Sequence, residues 1–183
     1  MGHGAPSVRE VLARPAWTRI RLRAVARAPG AGEDERVERS GCLVCQEIDG
    51  EVAVPDGLLV DTDTVGAFHR PPWPEPDDDV FLGHLLVCPH RHAADWAALT
   101  DDEAAEVGAW VARLSRALKA LGATRVYTMS LGHAVDHLHV HLVPRWPETP
   151  DDVSWQHVDD YPGARRGEME AAADLARRVR EEL

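Results

Sequence analysis

The stretch Asp136-His137-Leu138-His139-Val140-His141-Leu142-Val143-Pro144-Arg145 sets three histidines at alternate positions. In an extended chain successive side chains point to opposite faces. His137, His139 and His141 are therefore expected on one face, with Leu138, Val140 and Leu142 on the other, against a core. Three imidazoles so placed have two uses. They can hold a transition metal, since neutral imidazole is a good ligand. Alternatively, one attacks an electrophile while the others orient it and handle protons. The chain has 10 His among 183 residues, but the apolar residues here alternate as strictly as the histidines, which argues against chance. A second chemical group is Cys42-Leu-Val-Cys45, which alone is compatible with a redox pair or with two buried thiols. Cys88, inside an apolar run, reads as a core thiol.

The elements that must position these residues follow from pattern. Two adjacent strands are expected near 51–54 and 58–62, joined by the turn Pro55-Asp56-Gly57. Another extended stretch runs from Thr64 to His69. The segment 70–79 contains four prolines, which excludes helix and central strand and leaves a loop: a solvated acidic linker, or a lid with Trp73 as a stacking surface. Val80 to Cys88 is strand-like and closed by Pro89. Thr100-Asp-Asp-Glu103 matches a capping box. The spacing of Val107, Trp110, Val111, Leu114, Leu118 and Leu121 then predicts a helix that Gly122 stops. Strands follow over Thr124–Leu131 and Val135–Val143, the latter closed by Pro144. An amphipathic helix is expected from about 166 to 182. This order predicts an α+β domain with an antiparallel sheet and one long helix.

The length of 183 residues accommodates one domain with extensions. Residues 1–40 read as a basic, loop-rich arm with a short helix near 7–13. The strands and the long helix are expected in a central domain over 41–146, followed by 147–183 as an acidic tail with a final helix. The arm is expected to meet the tail or the acidic loop, within the chain or across a dimer. With 31 Asp+Glu against 20 Lys+Arg, the formal charge of −11 argues against nucleic-acid polymers and anionic membranes as partners. A small anionic substrate is still allowed by a locally cationic pocket. No apolar run approaches a membrane span, and the N-terminal MGHGAPSVRE lacks a signal-peptide core. Three cysteines make no disulfide framework, so a reducing cytoplasm is the expected setting.

The segment Gly132-His-Ala-Val-Asp-His137-Leu-His-Val-His-Leu-Val-Pro-Arg145 resembles the signature of the histidine triad (HIT) superfamily. The upstream Gly83-His84-Leu-Leu-Val-Cys-Pro89-His-Arg-His92 resembles that family's earlier strand, and Cys42-Leu-Val-Cys45 lies where many bacterial members carry a Cys-x-x-Cys. The resemblance covers roughly residues 41–146. It implies a HIT-like nucleotide-binding fold, usually a homodimer, whose middle triad histidine, here His139, attacks the α-phosphate of a nucleotide. A transient nucleotidyl-histidine is then resolved by water or another acceptor. Phosphoramidates and dinucleoside polyphosphates are the implied substrates. His141 would bind the phosphate or the departing group, with His84 and His137 completing the catalytic cluster. Some bacterial members hold structural zinc through two Cys and two His, which maps to Cys42, Cys45, His92 and His137; if zinc binds, His137 is committed to it.

The chain departs from the family where substrate is bound. His133 and Ala134 stand where Gln and Ser or Thr are common. Phe68-His69-Arg70 replaces a Phe-x-Asp whose carboxylate binds ribose, and an Arg there binds phosphate or carboxylate instead. Phe68, Arg70, Ser130 and His133 are the candidate substrate-binding residues. These departures, and Trp-rich extensions in which Trp146, Trp155 and His157 are placed to close over substrate, keep a specialised transferase or phosphorylase open. A non-catalytic, zinc-stabilised nucleotide binder and a metallo-hydrolase with metal on all three triad histidines are the rivals from other classes.

Overall fold

The computed structural model describes residues 39, 41–72 and 78–183. Apart from Arg39, the expected arm with its helix near 7–13, and Trp73, lie outside the described residues. In chain order, the helix α1 (Leu43–Ile48) is followed by strands β1 (Val60–Asp61), β2 (Val65–His69), β3 (Val80–Phe81) and β4 (Leu85–Pro89). The long helix α2 (Asp101–Ala120) comes next, then β5 (Arg125–Met129), β6 (Val140–Arg145), β7 (Arg166–Gly167) and helix α3 (Met169–Glu181). Five strands form an antiparallel sheet in the order β1-β2-β4-β6-β5, and β3 pairs with β7.

Register assigns the two faces of this sheet. Phe68 pairs with Leu86, Leu86 with His141, and His141 with Met129, so these four share a face. Leu85 and Leu142 pair on the opposite face, as do Ala67 and Val87, and Val87 and Val140. That second face packs under α2 through Val107, Leu114, Ala117 and Leu118, and under α3 through Leu175, Ala176 and Val179. The first face is covered by α1: Val44, Cys45 and Ile48 cluster with Phe68, Leu86 and Cys88. Gly66 permits this approach, since a Cβ there would stand 3.3 Å from Ile48. The histidine chemistry therefore sits on the α1 face and the main core on the other.

Helix α2 begins as its sequence dictates. The Thr100 hydroxyl accepts from the Glu103 amide at 3.2 Å, and the Glu103 carboxylate accepts from the Thr100 amide at 2.7 Å. Arg91 also grips Glu103 at 2.9 and 2.7 Å, tying the loop that carries His92 to the helix start.

Several expected boundaries move. Residues 51–54 form no strand, and α1 was not expected at all. The run from Val80 is split into β3 and β4 by Gly83, whose φ of 95° and lack of Cβ let Pro144 and Trp146 approach. Strand β6 starts at Val140 rather than Val135, because its neighbour β5 ends at Met129, opposite His141. The preceding stretch bonds elsewhere: the Leu138 amide donates to the Ala93 carbonyl at 2.6 Å. Pro144 lies within β6, not after it. The pairing with β4 ends at Leu142, so one side of the strand no longer requires an N–H there. Trp146 is no lid: it is 1% exposed, and its Nε1 donates to the Leu82 carbonyl at 2.9 Å. The tail that follows is packed into the same core through Val158 and α3.

Candidate functional site

Three elements bring the histidines together: the turn before β4 carries His84, the loop into β6 carries His137 and His139, and β6 itself carries His141. His139 is half-buried, and its Nδ1 lies 2.6 Å from the His137 carbonyl. A carbonyl only accepts, so Nδ1 bears the proton and Nε2 keeps its lone pair. The ring of His141 stands 4.9 Å from that of His139 between centroids.

His141 Nδ1 meets His84 Nε2 at 2.8 Å, and His84 Nδ1 is buried without a partner. A neutral imidazole carries one proton. Placing it on His84 Nε2 leaves an orphaned acceptor, which proteins tolerate better than an orphaned N–H. His84 then donates to His141 Nδ1, and His141 presents Nε2–H as a donor. Burial, followed by the neighbouring His139 and Arg70, lowers the His141 pKa to about 4. Burial and then His141 push His84 well below its ordinary value. Both are neutral at pH 7.

His84 is held from behind. The ring of His69, fully buried, accepts from the Gly83 amide at its Nε2 (2.9 Å) and donates from Nδ1 to the Arg70 carbonyl (2.8 Å). The Arg70 amide donates in turn to the His84 carbonyl at 2.8 Å.

His139 and His141 open onto a cavity of about 210 Å³ whose walls include Arg70 and the apolar Leu43, Val44 and Leu86. A larger depression of about 750 Å³ lies beside Cys42 and His92 but is lined by neither His139, His141 nor Arg70, so the smaller cavity is the one that the histidines and Arg70 share. A third, of about 330 Å³, lies by His84 and His141 with Trp155 at its edge.

Of the expected substrate residues, Arg70 lines the cavity of His139 and His141. Phe68 is fully buried beneath it, as support. His133 and Ser130 are exposed, and the cavity wall at that turn is Ala134 and Val135 instead. One wall residue was missed from sequence: Glu47, 4% exposed, whose carboxyl is pushed up to about 7 by burial, with Arg70 acting in the opposite sense. The signal was the spacing of Leu43, Val44, Glu47 and Ile48, which fits one turn of helix.

The Cys-x-x-Cys now has its partners. One ligand atom from each of Cys42, Cys45, His92 and His137 lies within 4.8 Å of the others. Cys42 and Cys45 Sγ stand 3.5 and 3.3 Å from His137 Nδ1, and Cys45 Sγ stands 3.4 Å from His92 Nδ1. Tetrahedral zinc with Zn–S of about 2.3 Å and Zn–N of about 2.0–2.1 Å has an S···N edge of about 3.6 Å, close to these separations. His137 Nε2 lies 2.9 Å from the Pro89 carbonyl, so it carries the proton and turns a lone pair at Nδ1 toward the thiols. The donor set fits a closed, structural zinc site, and both ring nitrogens of His137 are engaged, Nδ1 by the thiols and Nε2 by the Pro89 carbonyl. Zinc here would pin α1, the loop after β4 and the triad loop, and so fix the carbonyl that orients His139.

Residues 76–148 match the HIT domain family. Over that stretch the chain is similar to the HIT domain family. An AP-4-A phosphorylase of Mycobacterium tuberculosis is 37% identical over 71 residues, covering 35% of this chain and 36% of that protein. An uncharacterized HIT-like protein of Saccharolobus solfataricus is 36% identical over 76 residues, 38% of this chain and 54% of that one. The chain thus spans between a third and about half the length of these curated relatives. Two solved structures share the fold. A hypothetical histidine triad nucleotide-binding protein from Sulfolobus tokodaii aligns with TM-score 0.59 and 24% identity over 77% of this chain and 91% of that one. A Zn-bound histidine triad family protein from Mycobacterium smegmatis aligns with TM-score 0.57 and 21% identity over 79% and 94%. No described helix is long and apolar enough to cross a membrane.

Proposed function

We propose that this protein is a HIT-type nucleotide-processing enzyme that transfers a nucleoside monophosphate through His139. The observation that carries the reading is the hydrogen bond from His139 Nδ1 to the His137 carbonyl, 2.6 Å long, which in the neutral ring puts the lone pair on Nε2, in a cavity that also holds Arg70. In the first step Nε2 attacks the α-phosphorus: the N–P bond forms, and the P–O or P–N bond to the leaving group breaks, its electron pair departing with that group. The positive charge that develops on the His139 ring is shared through Nδ1–H with the carbonyl. The Nε2–H of His141 and the Arg70 guanidinium stabilise the phosphoryl oxygens. An acceptor then attacks phosphorus, the N–P bond breaks, and the imidazole is restored. Water as acceptor makes the enzyme a hydrolase.

Inorganic phosphate as acceptor makes it a phosphorylase, the activity named for the M. tuberculosis relative. Arg70 favours this second reading, because it adds a cation for another anion beside the histidines. Substrates are phosphoramidates or dinucleoside polyphosphates; a homodimer and a cytoplasmic setting accompany the proposal. His84 and His141 act as a pair in it, and His137 acts through its carbonyl and the metal. Domain bounds of 41–146 for the catalytic core, with 147–183 packed against it, are part of the same reading.

The test is product analysis of a panel of adenosine and guanosine phosphoramidates and dinucleoside polyphosphates, with and without inorganic phosphate, for wild type and His139→Ala. Release of nucleoside monophosphate by wild type alone supports the hydrolase, and phosphate-dependent release of nucleoside diphosphate the phosphorylase. A folded wild type that turns over nothing, and binds nucleotide unchanged in His139→Ala, would make the protein a binder.

A further inference from the structure

We propose that the third cavity is a second base subsite: it holds the nucleobase on the departing half of a dinucleoside polyphosphate, while the cavity of His139 and Arg70 holds the half that is attacked. The inference rests on the nucleotide reading above and names its substrate class.

The two spaces share one histidine. His139 lines the first, His84 lines the third, and His141 lines both. A phosphate held at His141 therefore stands at the border of both. The first, of about 210 Å³, is smaller than the roughly 300–1,000 Å³ that encloses a drug-sized ligand, so a substrate with two nucleosides extends beyond it. Attacking and leaving atoms lie roughly in line in phosphoryl transfer, so the departing half leads away from His139. The third cavity, of about 330 Å³, is the further space that His141 borders.

Its wall suits a base rather than more phosphate. Met129 pairs with His141 and Tyr127 with Val143, so these four share one face of the sheet. On that face α1 covers Phe68 and Leu86, whereas the tail supplies Trp155, Gln156 and Asp159 beside Met129 and Val143. Trp155 stands 6.4 Å from Tyr127 between ring centroids. Trp155 and Leu131 are two of the four large apolar side chains left exposed among the described residues, and both border this cavity. An indole face stacks any base, and the Gln156 amide can both donate to and accept from a base edge. His84, 6% exposed, adds to the wall a ring whose Nδ1 has no partner. Among the described residues no lysine or arginine lines the cavity and Asp159 does, which disfavours an anion there.

Titration calorimetry on full-length His139→Ala, which cannot turn its ligands over, tests this. It compares diadenosine and diguanosine tetraphosphates with adenosine and guanosine tetraphosphates, which carry as many phosphates and one base. At least one two-base ligand should bind about fivefold or more tighter than its one-base counterpart. That advantage should vanish in His139→Ala/Trp155→Ala. Trp155 is 51% exposed, so its loss leaves the core intact, and circular dichroism confirms the fold. No second-base advantage, or one that persists in the folded double variant, overturns the subsite and leaves the nucleotide reading standing. A change of oligomeric state on Trp155→Ala, read by sedimentation, would assign this face to a second copy of the chain and overturn it as well. Failure of wild type and His139→Ala to bind any of the four ligands overturns both readings.

Discussion

His69 is the group behind His84, and protonating it should unfold the support it provides. Its Nδ1 donates to the Arg70 carbonyl and its Nε2 accepts from the Gly83 amide, so a second ring proton would meet an N–H head-on. Burial holds its pKa at about 4, against 6.5 for a free imidazole. In the folded state the ring stays neutral through the window from pH 6.5 to 4, while in the unfolded chain it takes up a proton. The unfolded state therefore binds more protons, and the contribution is fully present above pH 6.5 and lost as pH falls toward 4. The slope is about 1.4 kcal/mol per pH unit, or roughly 3 kcal/mol across the window. Urea unfolding at pH 7.5, 6.5, 5.5 and 4.5 measures it in wild type and in His69→Gln, which keeps one donor and one acceptor and cannot titrate. The difference in stability between the two should close, or reverse, at about that slope as pH falls. Parallel curves, or a His69 resonance titrating near pH 6.5 in the folded protein, would refute the reasoning.

Other expectations are as direct. Cys42→Ser/Cys45→Ser should abolish zinc binding by metal analysis and lower the thermal midpoint, whereas His139→Ala should keep its zinc; loss of metal from His139→Ala would place the ion on the triad instead. Arg70→Ala should raise KM for a phosphate-bearing substrate by about tenfold or more, the loss of one charge-assisted hydrogen bond of 1.5–3 kcal/mol, and unchanged KM would remove Arg70 from the binding site. Thr100→Ala deletes the cap of α2 and should cost about 1 kcal/mol by urea unfolding; no change would mean that Glu103 and Arg91 hold the helix start without it.

What was legible in the sequence was whatever a local pattern encodes. The capping box at Thr100 and the spacing down to Leu118 gave α2, and the alternation of Leu138, Val140 and Leu142 with the histidines gave the buried side of β6. What was not legible depends on which neighbour is present. Strand β6 begins only where β5 and β4 exist to pair with it, so His137 and His139 sit on a loop. Trp146 read as a mobile cover, but the absent Cβ of Gly83 lets it sink into the core. Helix α1 was hidden because six residues around two cysteines have little intrinsic preference, and it is packing on Phe68 and Leu86 that fixes them. Glu47 was hidden with it. His133 and Ser130 were chosen for their chemistry, and the turn at Gly132 leaves them exposed.

The central claim is that Nε2 of His139 forms a covalent bond to the α-phosphorus. Acid-labile adducts survive a rapid quench into base, so wild type mixed with a reactive phosphoramidate or dinucleoside polyphosphate can be quenched within a turnover and read by intact-mass and peptide mass spectrometry. The account predicts one added nucleoside monophosphate per chain, on the peptide containing His139, absent from His139→Ala and lost when an acceptor is supplied before the quench. Turnover in wild type with no adduct at His139, or an adduct on His141 or His84, would contradict it.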